Sequence, residues 1–280
     1  MDTIEDGVPM SLRGTHPLPR VLSLLAAVAA LTVACGGGGV RIAFRPQPGT
    51  RYEYVVTVRS TVKTKLGDQP AQNDDEETVL CATHTVLRSQ RAGLVRVRVQ
   101  LRTPGGTTRT FVVDLDRAAQ LDAIETIEGL PAQVFGNLGV SEIFPAAAGA
   151  PPTRVLHAGD TWRIDDHLRL PDQGPARFVG AGRLVELAVV RGRAVARVRS
   201  ATRLPVARRT ELRQGQVVLR GSQATESTTT QDVSDGAVED ASSLSHGVFD
   251  VSLLPPPGSK APPVDGRMVL DVRSTVRRVG

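Results

Sequence analysis

From residue 51 onward the chain repeats one pattern: oily and wet side chains taking turns, two residues per period. Tyr52, Tyr54, Val56, Val58 and Val62 alternate with Arg51, Glu53, Thr57, Arg59 and Lys63. Successive side chains of a β-strand point to opposite faces, so this spacing predicts a strand with one apolar and one solvated side. Arg96, Arg98 and Arg102 alternate with Val95, Val97, Val99 and Leu101 in the same way. Further strands are predicted over 78–90, 94–103, 108–115, 178–190, 194–204, 216–233, 237–244, 247–253 and 267–279. The spacers between them are short and rich in turn formers, which favours antiparallel hairpins over parallel crossovers. The expected fold class is mainly β: a curved antiparallel sheet, or half barrel, with one or two short helices.

Two stretches of the chain echo each other. Val58-Arg59-Ser60-Thr61-Val62 recurs as Val272-Arg273-Ser274-Thr275-Val276. Asp114 to Arg117 followed by 118–127 has the pattern of Asp232 to Gly236 followed by 237–244, each reading as strand, polar turn, strand. This predicts two related β meanders, 50–130 and 176–280, forming one continuous sheet within a single domain over 50–280. The connector over 131–175 is different. Pro131 suits a first helical turn, and Val134, Phe135, Leu138, Val140 and Ile143 predict a short amphipathic helix over 131–144. Leu121, Ile124 and Ile127 recur every three residues, as in a helix, but the match to the second hairpin favours strand over 121–128.

The first 39 residues constrain location. Val21 to Ala34 is an uncharged apolar run after Arg13 and Arg20, too short for an ordinary membrane-spanning helix and suited to a signal-peptide core. It ends in Leu31-Thr32-Val33-Ala34-Cys35 followed by Gly36 to Gly39. Residues 1–34 are therefore expected to be a signal peptide, with Met10 as the initiator because Asp2, Glu5 and Asp6 are foreign to a signal's basic start. Residues 35–49 are expected to be a glycine-rich tether. The segment resembles a bacterial lipobox, in which the cysteine receives diacylglycerol; here Thr32 stands where that pattern usually has Leu. That resemblance implies lipid attachment at Cys35, anchorage to a membrane and a cell-envelope location outside the cytoplasm. The alternative is an ordinary secretory signal cut near Ala34, or an uncleaved anchor.

With Cys35 lipidated, Cys81 has no partner for an intramolecular disulfide. It sits in the strand-like Val79 to Thr83, where a small buried thiol is expected, and His84, three residues on, should face the other way. The net charge is +5, and about +6 after residues 1–34 are removed. Only Lys63, Lys65 and Lys260 among the 34 basic residues are lysines. The arginines are dispersed along the chain rather than gathered in blocks, and aromatics make up only 3% of it. A nucleic-acid groove needs stacking platforms, so nucleic acid is not an expected partner.

Chemistry-bearing motifs are few. Gly67 to Glu77 is predicted as a solvated hairpin tip, and its Asp74, Asp75, Glu76 and Glu77 lack the spaced ligands and glycine turn of an EF-hand loop. Asp165-Asp166-His167 is predicted as a charged turn. No metal site, cofactor or catalytic set is assigned, and the chain is read as a non-enzyme. An unrecognised hydrolase at Asp165, Asp166 and His167 is the remaining catalytic alternative.

Val155 to Trp162 contains Gly159-Asp160-Thr161-Trp162, with the only tryptophan of the chain. Together with the lipobox, the opening Pro48-Gly49-x-x-Tyr52-x-Tyr54 and a proline-rich middle, this order resembles a family of uncharacterised bacterial lipoproteins. That family is similar in outline to the lipoprotein-localisation-factor fold and to mycobacterial lipid-carrying lipoproteins. The resemblance implies a half barrel whose concave apolar side, lidded by helices, accepts acyl chains; it carries over no catalytic residue. The expected function is an envelope protein that binds an apolar ligand or lipid in the concavity of its sheet, lined by Tyr52, Tyr54, Val134, Phe135, Leu138 and Trp162. The alternative is a non-enzymatic surface module that binds an envelope protein or a cell-wall partner.

Overall fold

The alternating segments pair into one open antiparallel sheet in the computed structural model, which describes residues 38–103, 105–106, 108–117, 119, 121–128, 151–168, 176–212 and 215–279. The strands are β1 (Arg51–Leu66), β2 (Gln72–Leu87), β3 (Leu94–Arg102), β4 (Thr108–Asp116), β5 (Leu121–Glu128) and β6 (Thr161–Leu168). They continue with β7 (Ala176–Val190), β8 (Arg193–Leu212), β9 (Gly215–Asp232), β10 (Val238–Leu254) and β11 (Val264–Arg278). Their order across the sheet is β5-β4-β3-β2-β1-β11-β10-β9-β8-β7-β6. The described residues contain no helix. The helix expected over 131–144 lies outside them.

Two meanders are present, β1 to β5 and β6 to β11, and they fuse where β1 pairs with β11. The recurring Val-Arg-Ser-Thr-Val segments are the two sides of this seam, with Val58 opposite Ser274 and Ser60 opposite Val272. One opens its meander and the other closes its own, so the copies are seam neighbours rather than equivalent positions of a tandem repeat. The second meander also starts earlier than expected, because the connector over 131–175 contains β6. Trp162 and Ile164 alternate with solvent-facing Arg163 and Asp165, which is enough for a strand once β7 lies beside it.

Three boundaries differ from the sequence expectation for local reasons. Residues 237–244 and 247–253 are one strand, because Gly247 stays extended and the Phe249 ring occupies the space its side chain would fill. The acidic run Asp74 to Glu77 is strand rather than loop: β1 keeps its alternation out to Leu66 and pairs with it, Arg59 binding Glu77 at 2.9 Å. Asp165 to His167 likewise lies within β6, not in a turn, with Asp165 held by Arg163 and Arg177.

The sheet curls, and the chain before β1 shows how far. Val40 forms a bridge with Leu156, Phe44 N–H donates to the Arg117 carbonyl after β4, and Arg45 N–H donates to the Asp235 carbonyl in the β9–β10 turn. Amides of consecutive residues are under about 4 Å apart, so those two turns lie within roughly 10 Å of each other. In a flat sheet β4 and β10 would be separated by five strand spacings, roughly 24 Å. Residues 40–45, expected as free tether, therefore lace together the end of the sheet where β1 begins. Burial follows: Phe44, Tyr52, Phe111, Leu115, Ala237 and Val276 share one core cluster although they come from opposite halves. A second cluster joins Ile42 and Leu156 to Leu184, Ala196 and Val198.

Gly236 makes this lacing tight. Its φ of +75° suits glycine, and an added Cβ would lie 2.3 Å from the Ala43 carbonyl oxygen. Gly49 has φ +91° but open space around it. Gly236→Ala should lower stability by well over the roughly 1 kcal/mol expected of Gly49→Ala, whose cost is backbone strain alone. Urea unfolding of both variants checks this; equal losses would mean that the contact with Ala43 is not constraining.

Candidate functional site

Among the described side chains one face of the sheet is inward, and its character changes along the strands. At the laced end it is closed and apolar. Tyr52 and Tyr54 project there from β1, their ring centroids 6.4 Å apart and their side chains almost wholly buried. The Tyr52 hydroxyl donates to Asp235 Oδ2 at 2.7 Å, and Ala237 N–H donates to Asp235 Oδ1 at 2.9 Å. Arg278 lies 4.9 Å from the Tyr52 ring centroid and donates to Glu239 at 2.6 Å, which also receives Arg193 at 3.2 Å. Burial, then the bond to Asp235, drives the Tyr52 phenol far above its ordinary pKa, and burial does the same for Tyr54. Both remain neutral phenols at any physiological pH.

His84 stands opposite Tyr52 in the β1–β2 pair, and its ring lies diagonally against that of Tyr54, centroids 4.9 Å apart. Its Nε2 is enclosed, and burial lowers its pKa from 6.5 to about 4. Cys81 is exposed on the opposite face of β2, not buried as expected, because the inward positions are taken by Leu80, Ala82 and His84. Residues three apart do point apart here, and the thiol and imidazole do not meet.

Beyond the closed end the inward face becomes a belt of hydroxyls. Ser274, Ser243, Ser227 and Ser200 stand in one register row across β11, β10, β9 and β8. They pair as Ser243 with Ser274 at 2.7 Å and Ser200 with Ser227 at 2.6 Å, and in the next row Thr225 meets Ser245 at 2.8 Å. All are buried, and cross-strand pairing gives each hydroxyl a partner. The serine row continues to Gly182 on β7 and Trp162 on β6, whose ring lies against Gly182 where a side chain would otherwise be. The Trp162 indole N–H is buried with no hydrogen-bond partner among the described residues.

Past this belt the face turns apolar again, on the far halves of β8 to β11 and β1. Phe249 lies between Gly221 and Gly247, and half-buried Leu204, Leu219, Leu253, Met268, Leu270 and Val62 surround it in register. Sequence reasoning missed both the hydroxyl belt and this division into zones. Tyr52 and Tyr54 belong to the first core cluster and Trp162 packs on the second, so they do not converge. Cys35, Val134, Phe135 and Leu138 lie outside the described residues.

No family model and no curated protein sequence matches this chain. Among the described residues, no three His, Cys, Asp or Glu side chains gather as metal ligands. The turn before Trp162 is structural: Asp160 accepts the His157 N–H and Arg154, both at 3.1 Å, and these hold its carboxyl below the usual range.

The depressed pKa of His84 has a definite sign. The unfolded chain takes up a proton near pH 6.5 and the folded chain only near pH 4, so His84's contribution is complete above 6.5 and is lost as the pH falls. Stability should drop by about 2 kcal/mol between pH 7 and pH 5 from this group alone. Urea unfolding at both pH values should show this drop in the wild type and its loss in His84→Phe; a drop of the same size in the variant would remove His84 as its source.

Proposed function

We propose that this protein is a lipid-anchored component of the bacterial cell envelope that holds an apolar ligand, such as an acyl chain, against the inward face of its sheet. The supporting observation is the half-buried apolar wall around Phe249, built from five neighbouring strands beyond a belt of self-paired hydroxyls. An apolar concavity with a few fixed polar groups is the usual make-up of a small-molecule site. Burying such a wall against hydrocarbon is favourable at about 25 cal/mol per Å². The apolar run 21–34 ending at Cys35, with its glycines, supports anchorage through a diacylglyceryl cysteine, and among the described residues no helix is long and apolar enough to cross a membrane. The likeness to lipid-carrying lipoproteins is part of the same proposal.

A solidly packed sheet that works as a binding module for an envelope protein or cell-wall partner is the second reading. The hydroxyl belt favours it, because paired hydroxyls fill the middle of the sheet without offering free donors. One set of measurements separates the two. A Cys35→Ala soluble form, extracted with organic solvent, should yield lipid by mass spectrometry and should bind a fluorescent fatty acid. Leu270→Arg should weaken that binding about tenfold or more by placing a charge in the wall. No lipid and no probe binding would overturn the ligand proposal. Radiolabelled palmitate should enter the wild type and not Cys35→Ala; equal labelling would overturn the anchor.

A further inference from the structure

The outward face of β7 to β11 carries a charge arrangement that the fold alone does not account for. Arg183 and Arg199 are direct cross-strand partners, both exposed on that face. Like charges directly opposite each other destabilise a sheet. Several nearby outward arginines are neutralised, Arg163 and Arg177 by Asp165 and Arg197 by Glu186 at 2.7 Å, while Arg203 donates to the Ser222 hydroxyl. Among the described residues, Arg183 and Arg199 have no carboxylate. Two unneutralised guanidinium groups held side by side on rigid strands form a fork that matches one carboxylate, sulfate or phosphate group through paired charge-assisted hydrogen bonds.

The fork sits at one end of an open trough of about 710 Å³ running across the strands. From Arg199 the same register row continues as Thr228, Ser242 and Thr275, so one line from β7 to β11 passes from guanidinium to hydroxyl groups. Four strand spacings make it about 19 Å long. The next row runs from Ala181 and Ala201 through Glu226 and Leu244 to Arg273 at the far end. Small side chains at positions 181, 201, 228 and 242 give the trough its depth. Three arginines line it against one carboxylate, Glu226, which stands between the two cationic ends.

We propose that this trough binds a linear anionic glycan, with Arg183 and Arg199 clasping one acidic group and the hydroxyl row meeting the sugar hydroxyls. A recessed trough admits a single chain and keeps a planar bilayer off its floor. An extended peptide is a poor match, because the central strands already pair on both sides and have no free backbone groups to share. The lining has no aromatic platform for nucleic-acid bases. Glu226 sets a spacing: acidic groups are favoured at the two ends and repelled from the middle.

Calorimetric titration of the detergent-purified full chain tests this with hexagalacturonate as the anionic probe, and with neutral maltohexaose, hexaglutamate and phosphatidylglycerol vesicles as comparisons. Hexagalacturonate should bind, and maltohexaose should bind at least about tenfold more weakly. Combined Arg183→Gln and Arg199→Gln should weaken hexagalacturonate about tenfold or more, while the melting temperature holds or rises because the like-charge repulsion is gone. Glu226→Gln should tighten binding about threefold. Any of the following would overturn the proposal: no hexagalacturonate binding at millimolar concentration, undiminished binding by the double variant, or tighter binding of hexaglutamate or vesicles than of the glycan.

Discussion

Two adjacent backbone amides, those of Phe44 and Arg45, hold the architecture together. By donating to carbonyls in the β4–β5 and β9–β10 turns, they bring opposite halves of an open sheet close enough to share one core. Without that closure the inward side chains of β1 to β4 would face water and not Ala237, Ala241 and Val276. The glycine at 236 and the bond from Tyr52 to Asp235 serve the same junction, the first by giving room and the second by fixing the turn. Curvature here comes from a short strap across the strand ends as well as from the intrinsic twist of strands.

The sheet was readable in the sequence wherever its inward positions are aliphatic or aromatic. β1 and β3 show a clean period of two, and Val56, Val58, Val97 and Val99 are buried as that period requires. Legibility failed where small polar residues face inward. Thr225, Ser227, Ser243 and Ser245 alternate with residues that are also mostly polar, so an apolar-versus-polar pattern cannot tell the faces of β9 and β10 apart. Their burial depends on hydroxyl partners that only strand register supplies. Cys81 was misread for a related reason: its neighbours Val79 to Thr83 look apolar on both sides, and register decided which side turned inward. The strap at 40–45 gave no periodic signal, since its partners lie more than seventy residues away.

The candidate site combines features of unequal visibility. Tyr52, Tyr54 and Trp162 stand out as rare aromatics, yet they serve as anchors of two packed clusters and shield their polar atoms. The apolar wall around Phe249 is less conspicuous because Gly221, Gly247 and single leucines on separate strands assemble it across the sheet. The outward arginines look in the sequence like ordinary solvated strand positions. Register distinguishes those that share an acidic neighbour from the pair at Arg183 and Arg199, which face each other. Both surfaces are thus properties of rows running across strands, and no linear motif contains either.

The seam between β1 and β11 also governs how such a chain comes to be folded. Its paired residues, such as Val56 and Val276, are about 220 positions apart. Each meander can form from local hairpins as it emerges, but neither can complete the shared core until the last strand arrives. Pairing of such high sequence separation is slow, and until it happens β1 presents a long edge with bare backbone groups to any passing strand. A chain of this design gains from being shielded until β11 is available, so the timing of that last pairing, as much as its composition, decides whether it folds or aggregates.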